Sequence, residues 1–275
     1  MNLQLLLTTG ILLTGAANAV HNEFRLVWAD EFDAEGRPNP ANWTFEHGFV
    51  RNDELQWYQP QNAFCTNGLL VIEGRRENVK NPRFSPGSRN WKTRREFAEY
   101  TSASLKTKGL HSWQYGRFEM RAKIDVRPGL WPAFWTLGEN GPWPSNGEID
   151  IMEYYDGMLL ANVAHGTEKP YTPAWNNAKT PLTDFPTGWA DAFHVWRMDW
   201  DPAAIRLYVD DRLLNETLLS DTFNPEGDPI KNPFHQPHYL LLNLAIGGKC
   251  GGDPSGTEFP ARYEIDYVSV YELSK

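Results

Sequence analysis

Three acids stand close together in Gly147-Glu148-Ile149-Asp150-Ile151-Met152-Glu153, interleaved with apolar residues. In an extended strand, alternation places Glu148 and Asp150 on one face and turns Ile149 and Ile151 into the core. Glu153 then falls out of phase. One extra residue at Ile151-Met152, a β-bulge, returns it to the face of Glu148, and bulges re-aim side chains beside active sites. Carboxylates crowded on one face repel one another, which raises the pKa of each. Glycoside hydrolysis with retention needs such a set: two carboxyl groups about 5–5.5 Å apart, one to attack the anomeric carbon and one, still protonated, to release the leaving oxygen. Asp150, between them, can share a proton with Glu148. A solvated acidic strand face is the plainer alternative. A zinc cluster is disfavoured because no matching histidine spacing accompanies the acids.

The flanks of this strand are rich in rings. Twelve Trp, eleven Tyr and fourteen Phe exceed what a core of this size needs, and indole faces suit the apolar faces of sugar rings. More than half of them are still expected inside. The formal charge of -9 argues against a nucleic-acid backbone or an anionic membrane as partner, since both would be repelled.

The elements that hold the acids read as strands. From Gly116 to Ile124 the residues Phe118, Met120, Ala122 and Ile124 alternate with Arg117, Glu119, Arg121 and Lys123, the pattern of a half-buried antiparallel strand. Leu69 to Glu73, Phe193 to Trp200, Ile205 to Val209, Tyr239 to Ile246 and Tyr263 to Tyr271 read similarly, and Val209 to Leu213 looks like a hairpin turn. No segment shows a 3.6-residue apolar stripe bounded by helix caps. Many short strands in one domain imply an all-β jelly-roll sandwich of two antiparallel sheets. The polar stretch from Asn78 to Arg95 is expected as a long surface loop.

Residues 1–19 have an apolar stretch ending in Ala17-Asn18-Ala19, the A-x-A form of a secretory cleavage site. That predicts a signal peptide, a mature domain over 20–275, and an extracellular or periplasmic protein with no membrane span after cleavage. The apolar run is shorter than the about 20 residues a bilayer span needs. Cys65 and Cys250 would meet oxidising conditions after export; whether they pair is open at this stage. Asn42-Trp43-Thr44 and Asn215-Glu216-Thr217 have the form of glycosylation sequons.

Glu148-Ile149-Asp150-Ile151-Met152-Glu153 resembles the E-[I/L]-D-x-x-E motif of glycoside hydrolase family 16, in its laminarinase-like form with the bulged strand. Segments such as Leu26 to Asp33, Gln56-Trp57-Tyr58, Tyr115 to Lys123, Trp131 to Trp135, Leu242 to Gly248 and Ile265 to Tyr271 are similar to family segments in family order. Together they span nearly all of the mature chain.

The resemblance implies a jelly roll with a sugar-binding cleft on its concave sheet. It implies Glu148 as nucleophile, Asp150 as its assistant and Glu153 as acid/base, with Trp143, Trp131 and Trp135 along the cleft and His165 near the reacting sugar. Asn62 and Glu54 are weaker cleft candidates. A structural calcium on the convex side is implied at Glu31, Gly68 and Asp266, and no cofactor is required for catalysis. The chain departs from many laminarinase-like relatives in carrying Lys249-Cys250 after Gly247-Gly248, where those have a Trp. The expected activity is endo-cleavage of β-1,3 or mixed β-1,3/1,4-glucan by a monomer. A galactan hydrolase of agarase or carrageenase type, a transglycosylase, and a non-catalytic carbohydrate-binding protein are the alternatives.

Overall fold

The computed structural model describes residues 24–273. The expected signal peptide lies outside the described residues. Two antiparallel sheets face each other. The outer one runs β17 (Arg212–Leu218), β16 (Ala204–Val209), β15 (His194–Trp200), β10 (Gly116–Lys123), β19 (Ala261–Leu273), β5 (Leu69–Gly74) and β4 (Ala63–Thr66), with β1 (Phe24–Asp30) beside the C-terminal half of β19. The inner one runs β14 (Pro173–Pro181), β13 (Met158–Gly166), β12 (Glu148–Tyr155), β11 (Leu130–Gly138), β18 (His238–Ile246), β9 (Ser104–Lys106) and β2 (Thr44–Phe45). Two short pairs, β3 (Gln56–Tyr58) with β8 (Tyr100–Ser102) and β6 (Val79–Lys80) with β7 (Phe97–Ala98), complete the strands. This is the jelly-roll sandwich expected from the alternating sequence.

Alternation explains the layering. Phe118, Met120 and Ala122 of β10 are fully buried and join Phe134, Ile149, Ile151, Leu242 and Leu244 of the inner sheet in one continuous core. The intervening Arg117, Glu119, Arg121 and Lys123 stay on the outer face, where Arg117 donates to Asp199 at 2.7 Å. Each fully buried large apolar side chain contributes about 1.5–3 kcal/mol, so the face assignment of the strands that carry them is strongly fixed. Asp210 takes a left-handed φ of 52° in the turn between β16 and β17, completing the expected hairpin.

The stretch from 78 to 95 is more ordered than a plain surface loop. Buried Asn81 donates to the carbonyls of Lys92 and Arg95 at 3.0 and 2.9 Å, closing the loop on itself. Arg95 then lies over the Phe49 ring at 3.9 Å. That contact ties the loop to the segment that forms one wall of the cleft.

Candidate active site

The acid strand is irregular at one place. Asp150 pairs with Trp135 of β11 and Met152 with the next residue, Phe134, so Ile151 has no opposite number there. On the other side Asp150 pairs with Asn162 and Glu153 with Leu160, which leaves Ala161 facing both Ile151 and Met152. Both of these side chains are fully buried in the core. Two consecutive inward residues restore the phase, and Glu148, Asp150 and Glu153 all line the same cleft.

Each glutamate is held by an indole. Trp143 Nε1 donates to Glu148 Oε2 at 2.9 Å, and Trp131 Nε1 donates to Glu153 Oε1 at 2.8 Å. Asn162 Nδ2 adds a bond to Glu153 Oε2 at 3.3 Å. Asp150, 2% exposed, lines the same cleft. The bulge brings Glu153 back to the face of Asp150, which stands between the two glutamates in the strand.

Burial raises all three carboxyls. Glu148 is pushed up to about 8 by desolvation and then by the charge of Glu153, against the pull of the Trp143 bond and Arg51. Asp150 rises well above its usual range through burial and the charges of both glutamates. Glu153 is raised by burial while its bonds from Trp131, Asp150 and Asn162 oppose the shift. The three therefore titrate as one system, and at neutral pH the cleft floor retains protons available for general acid catalysis.

The cleft, of about 580 Å³, continues to both sides of β12. On β14 the alternate residues Pro173, Trp175, Asn177 and Lys179 face it. Trp175 stands in register with Ala164 and Glu148, Asn177 with Asn162 and Asp150, and Lys179 with Leu160 and Glu153. The opposite side carries Trp135, whose Nε1 donates to Asn243 Oδ1 at 2.8 Å, and Arg51, whose guanidinium lies 5.0 Å from the Trp135 ring centre. Glu46, bridged to Arg51 and accepting from Ser104 at 2.7 Å, fixes that guanidinium.

Comparison with known proteins matches this geometry. The profile of glycosyl hydrolases family 16 covers residues 55–269. The chain belongs to this family. It is 39% identical over 265 residues to a β-glucanase of Rhodothermus marinus, covering 90% of this chain and 85% of that one. The laminarinase structure from Rhodothermus marinus aligns with a TM-score of 0.75 at 37% identity, over 92% of this chain and 99% of that one. A structure from work on endo-acting O-glycanases, with which human gut microbiota initiate mucin breakdown, gives a TM-score of 0.82 at 33% identity, over 91% of each chain.

As a family 16 member the protein is a glycoside hydrolase, and its other candidate residues fall into place around the acids. Trp143 is 37% exposed and Trp175 40%, so these indoles present the most open faces. Trp131 and Trp135, each 7% exposed, line the cleft mainly as holders of polar partners. Glu54, 2% exposed, lies in the floor and accepts from Gln56 at 2.7 Å.

Two expected cleft residues lie elsewhere. Asn62 is fully buried, donating to the Glu73 carbonyl at 2.7 Å and to Thr101 Oγ1 at 2.9 Å, so it ties β5 to β8 and does not face sugar. His165 shares the parity of Val163, the core-facing partner of Ile149, rather than that of Ala164 opposite Glu148. It lines a separate hollow with Trp175, Glu216 and Thr217, between the edges of the two sheets.

Cys65 and Cys250 are both free thiols. Cys65 is buried on β4, and burial pushes its thiol up to about 11. Cys250 lines the cleft, as does Tyr155. At the calcium candidates, Glu31 is raised by burial and by the charges of Asp266, Asp33 and Asp30. Arg121 already bridges to Asp266 and competes for it. Among the described residues no group of three or more Asp, Glu, His or Cys side chains gathers to hold a metal.

Proposed function

We propose that this glycoside hydrolase cuts β-1,3 or mixed β-1,3/1,4-glucan internally, with retention, as a secreted monomer that acts outside the cytoplasm. The observation that carries the reading is the bulge at Ile151-Met152, which puts both indole-held glutamates and Asp150 into one open cleft.

The chemistry follows from that placement. The Glu148 carboxylate attacks the anomeric carbon while Glu153 gives its proton to the departing glycosidic oxygen, so the bond to the leaving chain breaks as the glycosyl ester forms. Glu153, now a carboxylate, takes a proton from water, and the resulting hydroxide equivalent displaces Glu148 from the opposite side. Two inversions preserve the configuration. Trp143 and Arg51 oppose the rise that burial and Glu153 impose on Glu148, whose attacking carboxylate form is gained as pH climbs toward about 8, and Asp150, beside Glu153, responds to its charge as the proton leaves and returns. No cofactor enters these steps; calcium at Glu31, Gly68 and Asp266 would serve the fold.

A galactan-directed activity is the second reading, favoured by Lys249-Cys250 in place of a stacking Trp. Transfer to a sugar hydroxyl instead of water uses the same intermediate. A module that only bound carbohydrate would have no use for three buried acids that repel one another.

The deciding experiment measures reducing ends released from laminarin, barley β-glucan, agarose and carrageenan, with NMR of the first anomer formed. Release from either glucan with the β-anomer appearing first supports the reading. First appearance of the α-anomer would exclude double displacement.

A further inference from the structure

Three cations line the cleft, and they differ in how their charge is met. Arg51 is bridged to Glu46 and packed on Trp135. Lys179 and Lys249 are exposed, and among the described residues neither has a carboxylate within 4.0 Å. Lys179 reaches the cleft from β14, in the cross-strand row of Glu153. Lys249 comes from the other side of that end, on the short helix α1 (Gly248–Gly251), where its own N–H is fixed to the Asn52 carbonyl at 2.9 Å. Both lysines line one cleft together with Glu153, Tyr155 and Cys250.

The acids nearest Lys249 are otherwise engaged. Asp253 accepts from Ser255 at 2.9 and 2.8 Å, and Asp53 faces Arg94 at 3.9 Å. A neutral sugar gives two neighbouring ammonium groups only hydroxyls to bond. An anionic one forms charge-assisted bonds with the ammonium groups it meets there. The walls of a cleft focus such a field even on a protein of net negative charge.

We infer that Lys179 and Lys249 form a subsite for an anionic substituent, a sulfate ester or a carboxylate, on the sugar bound at the Glu153 end of the cleft. The inference deepens the reading of this cleft as a polysaccharide site and rests on it.

The test uses polymers that differ only in charge: laminarin, its partial sulfate ester and its C6-oxidised uronate, with agarose and sulfated agarose as a second backbone. The readout is the ratio of kcat/KM on the anionic polymer to that on its neutral parent. Lys179→Gln/Lys249→Gln should lower this ratio by about tenfold, the worth of two modest charge contacts. The equally charged control Lys80→Gln/Lys231→Gln, away from the cleft, should leave it unchanged. High salt should collapse the wild-type preference. The sulfate and uronate arms show which anion is taken. Retardation in gels containing each polymer gives the same ratio without turnover. Loss of hydrolysis on every backbone therefore exposes a failure of the functional reading, while the gels still judge the subsite. An unchanged ratio in the cleft variant, or an equal fall in the control, overturns the inference.

Discussion

Trp131 donates its indole N–H to Glu153 Oε1 at 2.8 Å while the residue is only 7% exposed, its ring packed edge-on to Tyr155. The residue is thus a fixed donor to the acid. Trp131→Phe keeps the ring and removes the bond that favours the charged carboxylate, so the Glu153 pKa should rise further. The basic limb of the kcat/KM profile should move to higher pH, and activity near neutrality should fall about tenfold, as expected for losing a hydrogen bond to a charged group. A profile that stays in place with activity lost would assign Trp131 to packing alone.

The trio also makes stability depend on pH. The folded-state pKa of Glu148, about 8, lies above the 4.5 of an unperturbed glutamate. Above 4.5 the unfolded chain releases a proton that the folded state keeps, so stability from this group falls as pH rises from 4.5 to 8 and is flat beyond. Glu148→Gln removes that slope. The variant's melting temperature minus the wild type's should be larger at pH 8 than at pH 5 by at least about 2 °C, the effect of roughly 1 kcal/mol at this chain size. An identical difference at the two pH values would show that Glu148 is not held protonated.

Calcium offers a separate check on the convex side. The charges that raise Glu31 should be relieved by a bound cation, and binding to the folded state alone stabilises by mass action. Millimolar calcium should raise the melting temperature over that in chelator by at least about 2 °C, and Asp266→Asn should abolish the gain. An equal melting temperature with calcium and with chelator would mean that Arg121 serves as the sole counter-charge of Asp266.

Much of the site was legible because apolar period and acid spacing overlap in one strand. Ile149, Ile151 and Met152 cannot all face inward in a regular strand, so the bulge could be read before any pairing was known. β14 gave no such signal. Its cleft face is Pro173, Trp175, Asn177 and Lys179 and its other face is Ala174, Asn176, Ala178 and Thr180, with no large apolar side chain, so no hydrophobic alternation marks it as a strand, and Trp175 and Lys179 went unseen. Asn162 and Asn243 needed the cross-strand register, which local sequence does not carry. His165 shows the opposite failure. It lies one residue past Ala164 in the row of Glu148, and one residue changes the face.

The same period-2 rule gives the last prediction, two single-residue deletions in β12 with unequal outcomes. Removing Met152 lets Ile151 take its place opposite Phe134 and Ala161, and the second glutamate keeps its partners Ala133 and Leu160. Neither neighbouring strand has to slide. The loss is one buried side chain, about 2–5 kcal/mol, together with the local twist that the bulge supplies. Removing Ile149 instead moves Glu148 from the row of Leu137 and Ala164 into that of Thr136 and Val163, turning its carboxylate toward the core. An unpaired charge there is strongly unfavourable, and no nucleophile remains in the cleft. The Met152 deletion should keep measurable hydrolysis with a lowered melting temperature; the Ile149 deletion should keep none, even where circular dichroism shows a folded sandwich. Equal activity in the two folded deletions would mean that the bulge does not set the face of Glu153.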